Sequence, residues 1–271
     1  MLRAKQLLNT LPQKWGPQCE LAEDCETSLE SLESTWNDGW EPFDRTVTTD
    51  GDLSDVFRIF TNKESKNLHT IYIPSHVTTL DSADQTITIA MDGSCTKNRE
   101  DDARAGAGIF IDQGHTLNRS IKLPLYILQS NQTGELVAVK VAAETTPPQL
   151  QLNIEMDSKY VLNLLTRDMR QHEDEGYTTT VNRALVQSTI ASFCARTTLT
   201  CLKWVKGHAG NIRNEGADDM AQSVLDKSRP SYINTNPPPA LQVHGAKLKA
   251  MTQALANQVI LQQKVKEGNM D

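Results

Sequence analysis

Short alternating and apolar runs dominate the middle of the chain. "TITIAMD" (86–92), "RAGAGIFID" (104–112) and "TLNRSIKLPL" (116–125) read as three successive strands, the last two joined by a turn at "DQGH". The period then changes. "NQTGELVAVKVAAE" (131–144) puts Leu136, Val139 and Ala143 on one stripe, which predicts a helix that "TTPP" stops. "LQLNIEMD" (150–157) is another short apolar strand and "SKYVLNLLTRDM" (158–169) a helix. "NRALVQSTIASFCAR" (182–196) is a third helix, "TLTCLKWVKG" (198–207) a last strand, and "NIRNEGADDMAQSVLDKS" (211–228) a fourth helix. Three adjacent strands followed by strand–helix alternation predict an α/β fold. Its sheet is five-stranded and mixed, three antiparallel strands and then parallel ones, with helices on its faces.

The pattern on either side is weaker, which divides the chain into residues 1–83, 84–228 and 229–271. The first zone carries Trp15, Trp36, Trp40, Phe43, Phe57 and Phe60, an aromatic density that seeks a core. Asp52 is placed to cap a short helix through "LSDVFRIF", and the acidic stretch 19–38 has few apolar residues to order it. The third zone opens with a proline-rich linker, "RPSYINTNPPPA". It ends in a segment where Leu248, Met251, Leu255 and Val259 have helical spacing, predicting an amphipathic helix docked on its own domain.

Composition narrows the class. No apolar stretch is as long as a membrane span, and the N-terminus has no apolar signal block, so no membrane partner is expected. Five cysteines, an odd number with no CxxC pair, argue against a disulfide framework or a zinc site. They fit a reducing, intracellular setting, nuclear or cytoplasmic. The net charge of −7 runs against a nucleic-acid partner unless acids are gathered to hold cations.

Such acids exist. Asp92 ends the first strand, where Asp-Gly alone would read as a turn. Asp157 ends a second strand in the same manner; if both are central and parallel, their C-terminal ends adjoin, where open α/β sheets place their sites. Glu135 and Asp218 lie near helix starts, Asp218 behind Asn214 as a cap; each alone reads as a dipole partner. Two like charges about 4 Å apart cost on the order of 4 kcal/mol at an effective dielectric near 20, so four acids converge only if protonated or neutralised by cations. Oxygen ligands without a His–Cys set select Mg²⁺ or Mn²⁺. Two such ions about 4 Å apart can activate a water and stabilise the leaving oxygen of a phosphodiester.

The middle zone resembles the ribonuclease H family. "MDGSCTKN" is similar to its first-strand motif, "NQTGELVA" to the start of its first helix, "EMDSKYV" to its fourth strand and second helix, and "WVKGHAGNIRNEGADDMA" to its C-terminal segment. The four stand in the family's order, and the intervals from Glu135 to Asp157 and from His208 to Asp218 agree with bacterial members. The resemblance implies a ribonuclease H-like fold and an endonuclease acting on the RNA strand of RNA–DNA hybrids. Asp92, Glu135, Asp157 and Asp218 would be the ligands of two Mg²⁺ ions, and His208 a loop histidine assisting proton transfer or product release. Asn98 and Asn131 would touch the minor groove, with Ser130 and Asn214 as further substrate contacts; Lys159 departs from the family's pattern, replacing a usual polar neutral residue after the Asp-Ser pair, and is expected to add a backbone contact. Outside that motif His208 reads as an exposed loop histidine, and Ser130 as a helix cap. "RDMRQHEDEGYTTTVN" stands where bacterial members carry a basic protrusion; Glu173, Asp174 and Glu175 have the wrong sign for phosphate and predict weaker hybrid affinity. That segment favours a second reading, a non-catalytic interaction module on a domesticated fold. The flanks resemble fungal, retroelement-related members.

Overall fold

The computed structural model describes residues 38–45, 57–61, 86–225, 229–266 and 268. The cap expected at Asp52, together with Trp15, Trp36 and nearly all of the acidic stretch 19–38, falls outside them. The chain divides into compact units Met1–Trp40 and Glu41–Asp271.

The central sheet is built on β3 (Thr86–Thr96), an eleven-residue strand buried on both faces around Ile89, Ala90 and Met91. β3 pairs antiparallel with β4 (Arg104–Phe110), and β4 antiparallel with β5 (Arg119–Lys122). On its other side β3 pairs parallel with β6 (Gln151–Met156), and β6 parallel with β7 (Thr200–Trp204). A sixth strand, β1 (Trp40–Pro42), lies beyond β7, so the expected five-stranded sheet has six. Its source is the aromatic first zone. The Phe43 amide donates to the Thr200 carbonyl at 2.9 Å, and the Phe43 ring packs edge-on against Phe193 at 4.8 Å.

Helix α1 (Asn131–Thr145) starts at Ser130, whose side chain accepts from the Thr133 amide at 3.1 Å. It buries Leu136, Val139 and Ala143, as the spacing predicts, along with Val137 and Ala138, because the sheet and a second helix cover different sides of it. That second helix is α4 (Arg183–Cys194). The expected helix 158–169 is two: α2 (Lys159–Leu165) breaks at Thr166, and α3 (Met169–Asp174) follows. At the break the Thr166 hydroxyl donates to the Leu162 carbonyl and the Asp168 amide to Asn163. Helix α5 (Ile212–Ser223) lies over β3 and β4.

Two glycines decide how closely the helices seat. A Cβ on Gly93 would collide with the Asn131 carbonyl and the Glu135 amide of α1. A Cβ on Gly108 would collide with the Ala217 carbonyl of α5. Gly108 is paired with Asp92, and Asp92 and Gly93 point to opposite faces, so α1 and α5 press on opposite sides of the same pair of strands.

The flanking zones meet each other. Arg58–Ile59 forms strand β2, paired antiparallel with β8 (Ala246–Lys247), where a helix through "LSDVFRIF" was expected. Phe60 takes a left-handed backbone, φ 60°, and closes that strand. Helix α6 (Gln253–Lys266) begins after Leu248 and Met251, so the four-residue stripe is not one helix face. Leu248 is exposed, while Leu255 and Val259 pack on Ala246, Phe60 and Met251.

This small lobe is held by charge. Glu173 of α3, 1 % exposed, pairs with Arg58 of β2 and at 2.8 Å with Lys247 of β8. Asp174 pairs with Lys247 at 2.7 Å and with Lys249 at 3.5 Å. Part of the acidic segment expected to repel phosphate is thus turned inward and neutralised. Removing one partner of a buried pair leaves a charge without compensation. Arg58→Ala should lower the unfolding free energy in urea by roughly 3 kcal/mol, and by clearly less in a Glu173→Gln background. Additive effects of the two substitutions would show that the pair is not coupled.

Candidate active site

The parallel register of β3 and β6 pairs Met91 with Met156. The next residue on each strand is an acid, so Asp92 and Asp157 stand side by side at the same end of the sheet. Glu135 reaches them from α1, lowered toward the strand by the missing side chain at Gly93. One carboxylate oxygen from each of Asp92, Glu135 and Asp157 lies within 4.8 Å of the others. Gly207 lies close against the site, since a Cβ there would strike Oδ2 of Asp157.

Burial and mutual repulsion govern these acids. Burial, then the charge of Asp157, push Asp92 up to about 7, against a hydrogen bond from the Gly93 amide at 2.7 Å that favours its anion. Glu135 is pushed up to about 8, again first by burial, with Asp157 and Asp92 adding and a hydrogen bond from Ser158 opposing. Ser158 also caps α2, accepting from the Val161 amide at 3.3 Å. Oε2 of Glu135 is buried and has no hydrogen-bond partner among the described residues. A trio of hard oxygen donors with one orphaned, buried oxygen fits a divalent cation such as Mg²⁺, which would replace the protons.

Asp218 is close but separate. It occupies the second turn of α5, not the first; the cap is Asn211, which accepts from the amides of Arg213 at 3.1 Å and Asn214 at 3.4 Å. Its charge adds to the rise at Asp92, yet it is not one of the mutually close set among the described residues. His208 Nδ1 lies 4.0 Å from Asp218 Oδ2. The histidine side chain is 79 % exposed on a left-handed turn, φ 49°.

The expected substrate contacts divide. Asn98, beyond the end of β3, and Asn131, the first residue of α1, are exposed; Ser130 is half-buried and engaged as the α1 cap. Lys159 is exposed, its ammonium 4.3 Å above the centre of the Trp204 ring. Asn214 is 1 % exposed, and neither polar atom of its side-chain amide has a hydrogen-bond partner among the described residues. The sequence reasoning passed over Trp204, whose indole N–H donates to the Asp157 carbonyl at 2.8 Å. The available signal was an aromatic closing the strand beside the one that ends in Asp157.

The RNase H family model matches residues 84–226, just over half of the chain, and the chain belongs to that family. Human Ribonuclease H1 is 32% identical over 149 residues, covering 52% of this chain and 51% of the human protein. The chain therefore spans about half the length of the mammalian relatives it matches. Ribonuclease H of Saccharopolyspora erythraea is 31% identical over 159 residues, covering 55% of this chain and 97% of the bacterial protein. A solved structure, LC9-RNase H1, described as a type 1 RNase H with the type 2 active-site motif, shares 22% identity. Its TM-score is 0.43, with coverage of 64% of this chain and 85% of that one.

The raised acids have a consequence for stability. Without cations the folded state keeps protons at Asp92 and Glu135 that the unfolded chain releases near 3.8 and 4.5. Stability therefore falls as pH rises from those values through about 7 and about 8. Asp92→Asn should stabilise the cation-free protein by roughly 2 kcal/mol at pH about 8.5, with the gain fading toward pH about 4. Thermal melts in chelator across that range decide it; equal melting temperatures at alkaline pH would show that the acids do not repel.

Proposed function

We propose that this chain is an endonuclease that hydrolyses the RNA strand of RNA–DNA hybrids, leaving 5′-phosphate and 3′-OH ends. The observation that carries it is the convergence of Asp92, Glu135 and Asp157 within 4.8 Å, in a domain of the RNase H family. Two Mg²⁺ ions, with Mn²⁺ as substitute, would be held by these three acids and Asp218. When bound, they supply Lewis-acid stabilisation of the charge that builds on the attacking and leaving oxygens.

The chain's own residues do the positioning. Asp92, fixed on a central strand, would be a ligand held in place by the sheet. Glu135 and Asp157 complete the charge from α1 and the end of β6. His208 sits on an exposed turn beside Asp218, where its ring can carry a proton toward or from the leaving oxygen. Asn98, beyond the end of β3, and Asn131, the first residue of α1, are exposed amides, donors and acceptors able to sense a ribose 2′-OH. With contacts to ribose and phosphate, sequence preference should be slight.

The non-catalytic reading drew on the acidic segment, and the inward pairing of Glu173 and Asp174 weakens that support. Kinship with fungal retroelement-related members rests on the flanking sequences and is part of the proposal. Purified chain with Mg²⁺ should cut the RNA strand of a labelled hybrid and spare single-stranded and double-stranded RNA. Asp92→Asn should reduce cleavage at least about 10³-fold, as expected when a charge-stabilising group of the site is removed. Cleavage at the same background rate by wild type and variant would end the catalytic reading.

A further inference from the structure

The C-terminal end of β7 lies beside that of β6, and Trp204 closes it. Its indole N–H donates to the main-chain carbonyl of Asp157 at 2.8 Å, while the Val205 amide donates to Met156 at 2.8 Å. The backbone from which the Asp157 carboxylate projects is thus fixed from the neighbouring strand. Trp204 is 37 % exposed, and one face of its indole carries the Lys159 ammonium at 4.3 Å from the ring centre. Lys159 is only two residues past Asp157 and opens α2, immediately after its cap Ser158.

The manner of holding matters. An aromatic face orients an ammonium through its quadrupole without neutralising it or consuming its N–H donors. Other cations are spent on carboxylates: Lys97 on Asp102, Arg213 on Glu155 at 3.8 Å, Lys247 on Glu173 and Asp174. No carboxylate pairs with Lys159 among the described residues. A lysine that is exposed, oriented and not neutralised, next to a metal-ligand acid, is suited to a phosphate oxygen.

We propose that Trp204 is a positioning residue with two outputs: its N–H sets the backbone of Asp157, and its ring aims Lys159 at a backbone phosphate of the bound nucleic acid strand. The inference rests on the hybrid-nuclease reading, and its test uses binding measurements that do not require cleavage. In chelator, Lys159→Gln should weaken hybrid binding several-fold at low salt. It should also reduce the slope of log affinity against log salt by about 1, the signature of one lost phosphate contact. Lys159→Arg, which keeps the charge and stacks on an indole, should restore the slope. Trp204→Phe keeps a ring under Lys159 and deletes the N–H. Its salt slope should stay near wild type while the affinity for Mn²⁺ alone, by calorimetry, falls several-fold. If Trp204→Phe does not fold, benzothienylalanine at 204 removes the N–H while keeping the ring shape.

An unchanged salt slope in Lys159→Gln overturns the phosphate contact, and unchanged Mn²⁺ affinity on loss of the N–H overturns the anchor. Wild type that binds hybrid and Mn²⁺ yet never cleaves would sink the nuclease reading, while these two measurements would still decide the roles of Trp204 and Lys159.

Discussion

Three carboxylates held within 4.8 Å of one another are the costly feature that the rest of the domain is arranged to tolerate. Burial and repulsion push Asp92 to about 7 and Glu135 to about 8, so without cations the cluster favours protons, and a hard cation is the natural replacement. Nothing in a single element could hold such a group together. Asp92 is fixed by pairing on both sides of β3, and Asp157 by the end of β6. Glu135 is held by a helix pressed onto Gly93 with no side chain between them. A larger residue at Gly93 would lift α1 and let Glu135 relax away from its neighbours. The glycine is thus a chemical residue as well as a packing one, because it prevents the repulsion from being relieved by movement.

Much of this was legible in the sequence because it is local. Alternation marked β3 and β4, the 3.6-residue stripe marked α1, and an acid at the end of each of two strands marked the site. What escaped is long-range. The sixth strand has three residues and no period of its own; it exists because Thr200 offers a carbonyl to Phe43 and Phe193 a ring face. β2 and β8 have two residues each and define one another across most of the chain. Asn214 looked like a cap because it precedes the acids, but Asn211 starts the helix, which buries Asn214 and carries Asp218 into the second turn.

The acidic segment shows the same limit in its electrostatic form. Sequence gives the sign of Glu173 and Asp174, not their direction, and their partners Arg58 and Lys247 come from opposite ends of the chain. Taken as surface charge they argue against nucleic acid. As internal ions they bind the flanking segments to α3 and lend nothing to the face that a ligand meets. Ions inside a lobe are poor evidence for stability but good evidence for a specific arrangement, since few other packings would satisfy two anions and three cations together.

That distinction resolves the tension between a net charge of −7 and a nucleic-acid ligand. Net charge counts every acid alike, whereas a polyanion responds to the field at its own binding face. Asp92, Glu135 and Asp157 would be neutralised by the ions they hold, and Glu173 and Asp174 are neutralised from within. What remains is an exposed lysine standing on the indole that anchors Asp157, two exposed amides, and an exposed histidine 4.0 Å from Asp218. On the proposed function, such a surface would hold a phosphate backbone by a few placed contacts and by its cations. Affinity for a polyanion in this chain should therefore depend on divalent ions much more steeply than its overall charge alone would predict.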